Sequence, residues 1–234
     1  MNNVKAWVAH YTPLTQRKDF QKAQLNKEGI KHVFITEHDR EVLTPEDLFR
    51  FNVGDRSSHR MGSISLILKH LATLRHIKES SHPFNILMED DAIFEENFSN
   101  LLPKALKELP VNYDMLFLGT CWNLHIPLDQ QIPGQLLYKK GSEATGWGGD
   151  GATRCTDSVI ISKNCASKIL DYYEEQEENS ISKAFDWWLN SIIRELKINN
   201  IYWLEPTIVS QGSNPGNVNN QDGYEGKKLF PDSY

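Results

Sequence analysis

The chain has 234 residues, 39% hydrophobic, 24% charged and 10% aromatic, a composition that excludes a disordered or fibrous protein and fits one globular domain with a proper core. A net charge of -6 gives no electrostatic reason to expect binding to nucleic acid or to an anionic membrane. No stretch approaches the roughly 18 apolar residues needed to cross a bilayer. Met1 to Val8 runs directly into an apolar segment without the long leader of a secreted protein, so a cytoplasmic location is expected. Cys121, Cys155 and Cys165 form no C-x-x-C pair, and their odd number argues against a disulfide framework and for small, semi-buried thiols.

In chain order, Val4 to Ala9 reads as a first strand and Tyr11-Thr12-Pro13-Leu14 as the turn leaving it. Thr15 to Glu28 is helical in composition, with Gly29 as a left-handed stop before a strand at Val33 to Ile35. Strand, helix, strand is the pattern of a parallel sheet. Thr44-Pro45-Glu46-Asp47 starts a short helix, with a hydroxyl cap, proline in the first position and acids in the first turn. From Gly62, the apolar residues Ile64, Ile67, Leu68, Leu71, Leu74 and Ile77 recur at helical spacing and give one buried face. His70 lies near that face and reads as a core histidine.

The next strand, Phe84 to Met88, ends on Glu89-Asp90-Asp91, and Ala92-Ile93-Phe94 follows at once. Beyond it come a helix over Asn97 to Leu109, a buried strand over Met115 to Gly119, and a glycine-rich excursion without periodicity from 121 to 154. A strand at Ser158 to Ile161, helices near Ser162 to Glu175 and Ile181 to Leu196, and a strand at Ile201 to Leu204 complete the pattern. Residues 1–212 thus form one domain, and the Gly- and Asn-rich tail 213–234 is expected to be mobile or to become ordered over a ligand. The glycine-rich loop is expected to close over the same ligand.

Three acids at the lip of a buried strand are costly unless a cation or polar ligand receives them. Side chains alternate along an extended segment, so Glu89 and Asp91 share one side and Asp90 takes the other. Paired carboxylates past the carboxyl end of a strand suit Mg²⁺ or Mn²⁺, which prefer oxygen ligands and accept phosphates or waters in the remaining positions. A run of solvated surface charge is the bland alternative, and the apolar residues on both sides weigh against it.

The run Gly62 to His70 followed by Ile86-Leu87-Met88-Glu89-Asp90-Asp91-Ala92 resembles glycosyltransferase family 25, the lipooligosaccharide-biosynthesis type. Tyr113 to Gly119, Ser158 to Leu170, Asp186-Trp187-Trp188-Leu189 and Pro206 to Gln211 are similar to later motifs of that family, in order. The resemblance implies an α/β GT-A fold, a Rossmann-type domain whose mostly parallel central sheet is flanked by helices. It further implies inverting transfer of a hexose from a nucleotide-sugar, commonly UDP-linked, to a saccharide or glycan acceptor, with a divalent metal held by Glu89 and Asp91. By the same analogy Tyr11, Thr12, Arg17, Ser63, Lys69 and Asp90 serve the donor nucleotide. The family's first loop carries two arginines in an I-N-L-x-x-R pattern, whereas here the corresponding loop has only Arg17 nearby.

Transfer needs a base for the acceptor hydroxyl. Asp186, at the start of a largely inward-facing helix, is the first candidate, although the helix dipole also favours an acid there. Asp157, leading a buried strand, is the second. Trp147, Asp150 and Trp187 are candidates to hold the acceptor, while Trp188 reads as core. A non-catalytic carbohydrate or nucleotide module is the alternative. A two-carboxylate glycoside hydrolase is disfavoured because its pair must stand more than about 5 Å apart across a sugar. The sequence holds no P-loop, no G-x-G-x-x-G after the first strand, no H-E-x-x-H and no G-x-S-x-G elbow.

Overall fold

A computed structural model describes residues 1–53, 58–121, 123–141, 147–148 and 151–212. In chain order these form β1 (Val4–Ala9), α1 (Thr15–Lys27), β2 (Lys31–Ile35), α2 (Pro45–Leu48), α3 (Ser58–Glu79), β3 (Phe84–Glu89), β4 (Ala92–Phe94) and α4 (Phe98–Glu108). Then follow β5 (Met115–Phe117), a short 3₁₀ turn, β6 (Leu137–Lys139), β7 (Ser158–Ile161), α5 (Lys163–Glu174), α6 (Phe185–Glu195), β8 (Ile201–Leu204) and β9 (Val209–Gln211).

The main sheet has seven strands in the order β2-β1-β3-β7-β5-β8-β6. Strands β2, β1, β3, β5 and β8 point one way, while β7 and β6 run against them. The sheet is therefore mostly parallel in direction, as expected, with β7 inserted antiparallel between β3 and β5. Alternation along the strands feeds a core on each face. Leu87, Trp7 and Val159 pack with α3, α5 and α6, whereas Ile86, Met88, Val8 and Ile160 pack with Leu25 of α1 and Phe98, Leu102 and Leu106 of α4. Sheets covered on both faces read as continuous apolar runs, which is how β3 and β5 appear in the sequence.

The local signals act as expected at several ends. Gly29 has φ 62°, which closes α1 in a left-handed turn. Thr44 caps α2 through a reciprocal pair: its Oγ1 accepts the Asp47 N–H at 3.2 Å, and Asp47 Oδ2 accepts the Thr44 N–H at 2.9 Å. Helix α6 begins four residues later than its apolar spacing predicts, because Ile181 instead bridges Phe51.

The region from 121 to 154 is less irregular than its composition implies, since β6 pairs there with β8. The free-thiol reading of Cys121 and Cys155 is also corrected. The two are joined by a disulfide across 34 positions, Cα to Cα 5.1 Å, because antiparallel β5 and β7 bring the exit of one and the approach to the other together. Cys165 alone is a free, buried thiol. Among the described residues no helix is long and apolar enough to cross a membrane. The tail 213–234 and the loop positions 142–146, 149 and 150 lie outside the described residues.

Candidate functional site

The carboxyl ends of β1 and β3 lie side by side, with Ala9 in register with Glu89. In open α/β sheets ligands bind beyond such strand ends. Here a small cleft, open to solvent, is lined by Tyr11, Leu14, Arg40, Ser65, Lys69, Glu89 and Asp90 among others. The turn after β1, the loop after β2, one face of α3 and the acidic lip of β3 thus converge.

Glu89 and Asp90 turn to opposite sides, as alternation along the strand predicts. Glu89 faces α3, where its Oε1 accepts the Thr156 hydroxyl at 2.8 Å and lies 3.4 Å from His70 Nε2. Asp90 turns the opposite way and is held by the protein itself. Its Oδ1 accepts Arg17 Nη1 at 2.9 Å, and its Oδ2 meets His10 Nδ1 at 2.8 Å and the Tyr11 N–H at 3.2 Å. Arg17 is 3% exposed. The pair expected to serve the donor therefore pins the β1–α1 turn to the end of β3, because a buried carboxylate must find its cation inside the protein.

Asp91 is buried beside Asp157, whose backbone oxygen accepts the Glu89 N–H at 2.9 Å. Burial pushes the Asp157 carboxyl up to about 8, and the charges of Glu89 and Asp91 add to the shift. Ser158 donates to Asp157 Oδ1 at 3.0 Å, whereas the buried Oδ2 has no hydrogen-bond partner among the described residues. Unlike the half-buried Asp186, the Asp157 carboxyl, at 1% exposure, is sealed from solvent in this structure. Its neighbour across the sheet is Gly119, where a Cβ would stand 2.2 Å from Asp157 Oδ1.

The charges of Glu89 and Asp91 act together with burial to drive Asp157 toward its neutral form, an excess of negative charge that a hard cation would relieve. Among the described residues, however, no three His, Cys, Asp or Glu side chains converge closely enough to hold a metal by themselves. The described side chains do not form a closed protein cage for a metal, so an ion here would need waters or ligand phosphates to complete its shell.

Asp186 lies in the first turn of α6, half-buried. Burial raises its pKa, the Trp187 N–H bond at 2.9 Å opposes that shift, and Glu89 adds to it. The same helix end brings Phe185 against His70, ring centroids 4.5 Å apart. Trp187 is 51% exposed beside Asp186. Trp147, by contrast, is anchored: its indole donates to Gln130 at 2.7 Å and packs on Trp203 and Tyr138. Trp188 is core, as is His70. Asp150 lies outside the described residues.

Asp186, Trp187 and Trp147 are not among the residues that line the cleft, whereas Lys69 is, its ammonium donating to the Glu37 carbonyl at 2.7 Å and to Asp39 at 2.8 Å. Thr12 is exposed and its N–H reaches Asp39 at 3.4 Å. Ser63 is not among the lining residues; Ser65 takes that place and donates to the His38 carbonyl at 2.6 Å. Sequence reasoning missed Arg40 and Ser65. The helical period that selects Ile64 and Leu68 for the core leaves Ser65 and Lys69 together on the adjoining stripe, whereas nothing local marks Arg40, which reaches the cleft from the loop after β2.

No family model matches the chain. A protein of Acanthamoeba polyphaga mimivirus named as a putative glycosyltransferase is 28% identical over 127 residues, 53% of this chain. The match spans 39% of that protein, so this chain corresponds to less than half of its length. Among solved structures, a glycosyltransferase involved in the glycosylation of the major capsid of PBCV-1 aligns over 89% of this chain and 93% of its own, with TM-score 0.36 and 11% identity. Mouse xyloside xylosyltransferase 1 aligns over 89% and 83% respectively, with TM-score 0.32 and 13% identity.

Proposed function

We propose that the chain is a glycosyltransferase of the family 25 type with a GT-A fold. It moves a hexose from a nucleotide-sugar, UDP-linked, to a hydroxyl of a saccharide acceptor such as a lipopolysaccharide glycan, with inversion at the sugar carbon. The observation that carries this reading is the acidic lip of β3, where Glu89 and Asp90 line an open cleft beyond the carboxyl ends of β1 and β3 and Asp91 follows in the turn. The likeness to the viral protein supports it.

Glu89 and Asp91 would hold a Mn²⁺ or Mg²⁺ together with the donor diphosphate. Such an ion supplies Lewis-acid neutralisation of the charge that develops on the leaving group. Thr156 and His70 fix the Glu89 carboxylate from the protein side, so that its orientation is set before ligand arrives. Asp186 takes the proton from the acceptor hydroxyl as that oxygen attacks the sugar carbon. Its partial burial keeps the carboxylate more basic than one in water, and exposed Trp187 next to it offers a flat apolar face for the acceptor ring.

Titration calorimetry with UDP is expected to show binding that depends on Mn²⁺ and is lost in Asp91→Asn. A screen of UDP-hexoses should then show slow Mn²⁺-dependent release of UDP. Binding of no nucleoside diphosphate under any metal condition would overturn the assignment.

A further inference from the structure

Among the described residues, Lys69 and Arg40 line the cleft and Arg17 is bound to Asp90 at its edge, and they differ in how firmly the protein already holds them. Arg17 is 3% exposed and bound to Asp90, itself buried. Lys69, also 3% exposed, is bound to Asp39 and to a backbone carbonyl. Withdrawing either from its partner would leave an uncompensated charge in the interior. Arg40 is different. Its side chain is 24% exposed, its Nε donates to Glu41 at 2.8 Å, and Glu41 is 53% exposed. The guanidinium lies over the Tyr11 ring, 4.7 Å from the centroid, and the Tyr11 hydroxyl donates to the same Glu41 carboxylate. Both Tyr11 and Arg40 line the cleft, whereas Glu41 does not. An ion pair between exposed groups is weak and readily exchanged.

We propose that Glu41 is a displaceable internal anion: it holds Arg40 on the Tyr11 ring until a diphosphate enters the cleft, and the diphosphate then replaces the carboxylate on the guanidinium. The planar fork of Arg40 suits bidentate contact with phosphate oxygens, and release of Glu41 frees the Tyr11 hydroxyl to donate to the same ligand. Arg40 thereby supplies the cationic contact that Arg17, turned inward on Asp90, does not. The exchange makes Glu41 a competitor of the ligand, so that donor affinity is set partly by a residue that never touches the donor. This inference rests on the nucleotide-diphosphate reading of the cleft, but the exchange itself requires only an anion with two adjacent phosphates.

The test uses inorganic pyrophosphate without metal, and separately UDP with Mn²⁺, titrated calorimetrically into the wild-type protein and into Glu41→Gln, Arg40→Gln and Glu46→Gln. Glu46 is an exposed acid on α2 that controls for the general loss of one negative charge. Glu41→Gln is expected to tighten pyrophosphate about two- to fivefold, because the competitor is gone. Arg40→Gln should weaken it about tenfold or more, because a charge-assisted contact is lost. Glu46→Gln should leave it unchanged.

Unchanged or weaker binding in Glu41→Gln, an equal gain in Glu46→Gln, or no measurable pyrophosphate binding in any of the proteins would overturn the exchange. If the pyrophosphate responses appear as expected while UDP binds no better than pyrophosphate, the exchange stands and the nucleotide-sugar reading falls. If UDP binds tightly and Glu41→Gln changes neither ligand, the reverse holds.

Discussion

Asp186 and Asp157 carry the same functional group and sit in unlike surroundings. Asp186 is half-buried at a helix start and remains accessible, while Asp157 is sealed beneath Gly119 and Ser158. Burial raises the pKa of both, so accessibility rather than basicity distinguishes the two and favours Asp186 as the proposed base. Asp186→Asn is expected to lower kcat by about 10²–10⁴ and to leave UDP affinity in Mn²⁺ unchanged. A base must be ionised to work. Because burial raises the Asp186 pKa, the acidic limb of the wild-type kcat/KM profile should be shifted upward from that of an unperturbed aspartate and vanish in the variant. Loss of UDP binding in step with loss of rate would assign Asp186 a structural role instead. The inward-facing stripe around Asp186 was legible from helical spacing; the burial that tunes it was not, because it depends on how α6 packs against α3.

At the level of elements, the site depends on how closely β5 approaches β7. Phe117 pairs with Val159, and the chain then carries Gly119 directly against the Asp157 carboxyl. A methyl group at that position would overlap Asp157 Oδ1, which is fully buried and has nowhere to move. Gly119→Ala is therefore expected to destabilise the fold by roughly 1–3 kcal/mol and to displace Asp157 from the acidic cluster. Thermal unfolding would read the first effect and weakened Mn²⁺-dependent UDP binding the second. An unchanged melting temperature would show that β5 and β7 can separate without cost. The apolar run at Met115 to Leu118 marks a buried strand from sequence alone. Its partner does not follow from sequence, since β7 lies far downstream and runs antiparallel.

For the molecule as a whole, the carboxylate cluster couples folding to pH. The Asp157 pKa is raised from 3.8 in the unfolded chain to about 8 in the fold. Its contribution is therefore fully favourable below the lower value and is lost as pH rises toward the upper one, because the native state holds a proton that the unfolded state gives up. In the presence of a chelator, stability is expected to decline between about pH 4 and pH 8 by up to roughly 5 kcal/mol. Asp157→Asn should flatten that decline. Chemical denaturation across this pH window would measure it, and an identical slope in the variant would place the unfavourable charge elsewhere.

The order of helices and strands, the buried character of β3 and β5 and the opposite orientation of Glu89 and Asp90 follow from periodicity and strand parity, which are local properties of the chain. Pairing depends on distance in space. That Arg17 answers Asp90, that Cys121 meets Cys155, that β6 forms inside an irregular stretch and that Arg40 reaches the cleft were all decided by the tertiary structure. Each joins residues far apart along the chain or carried together only by the sheet order, and a buried charge or thiol finds its partner among whatever neighbours that order supplies.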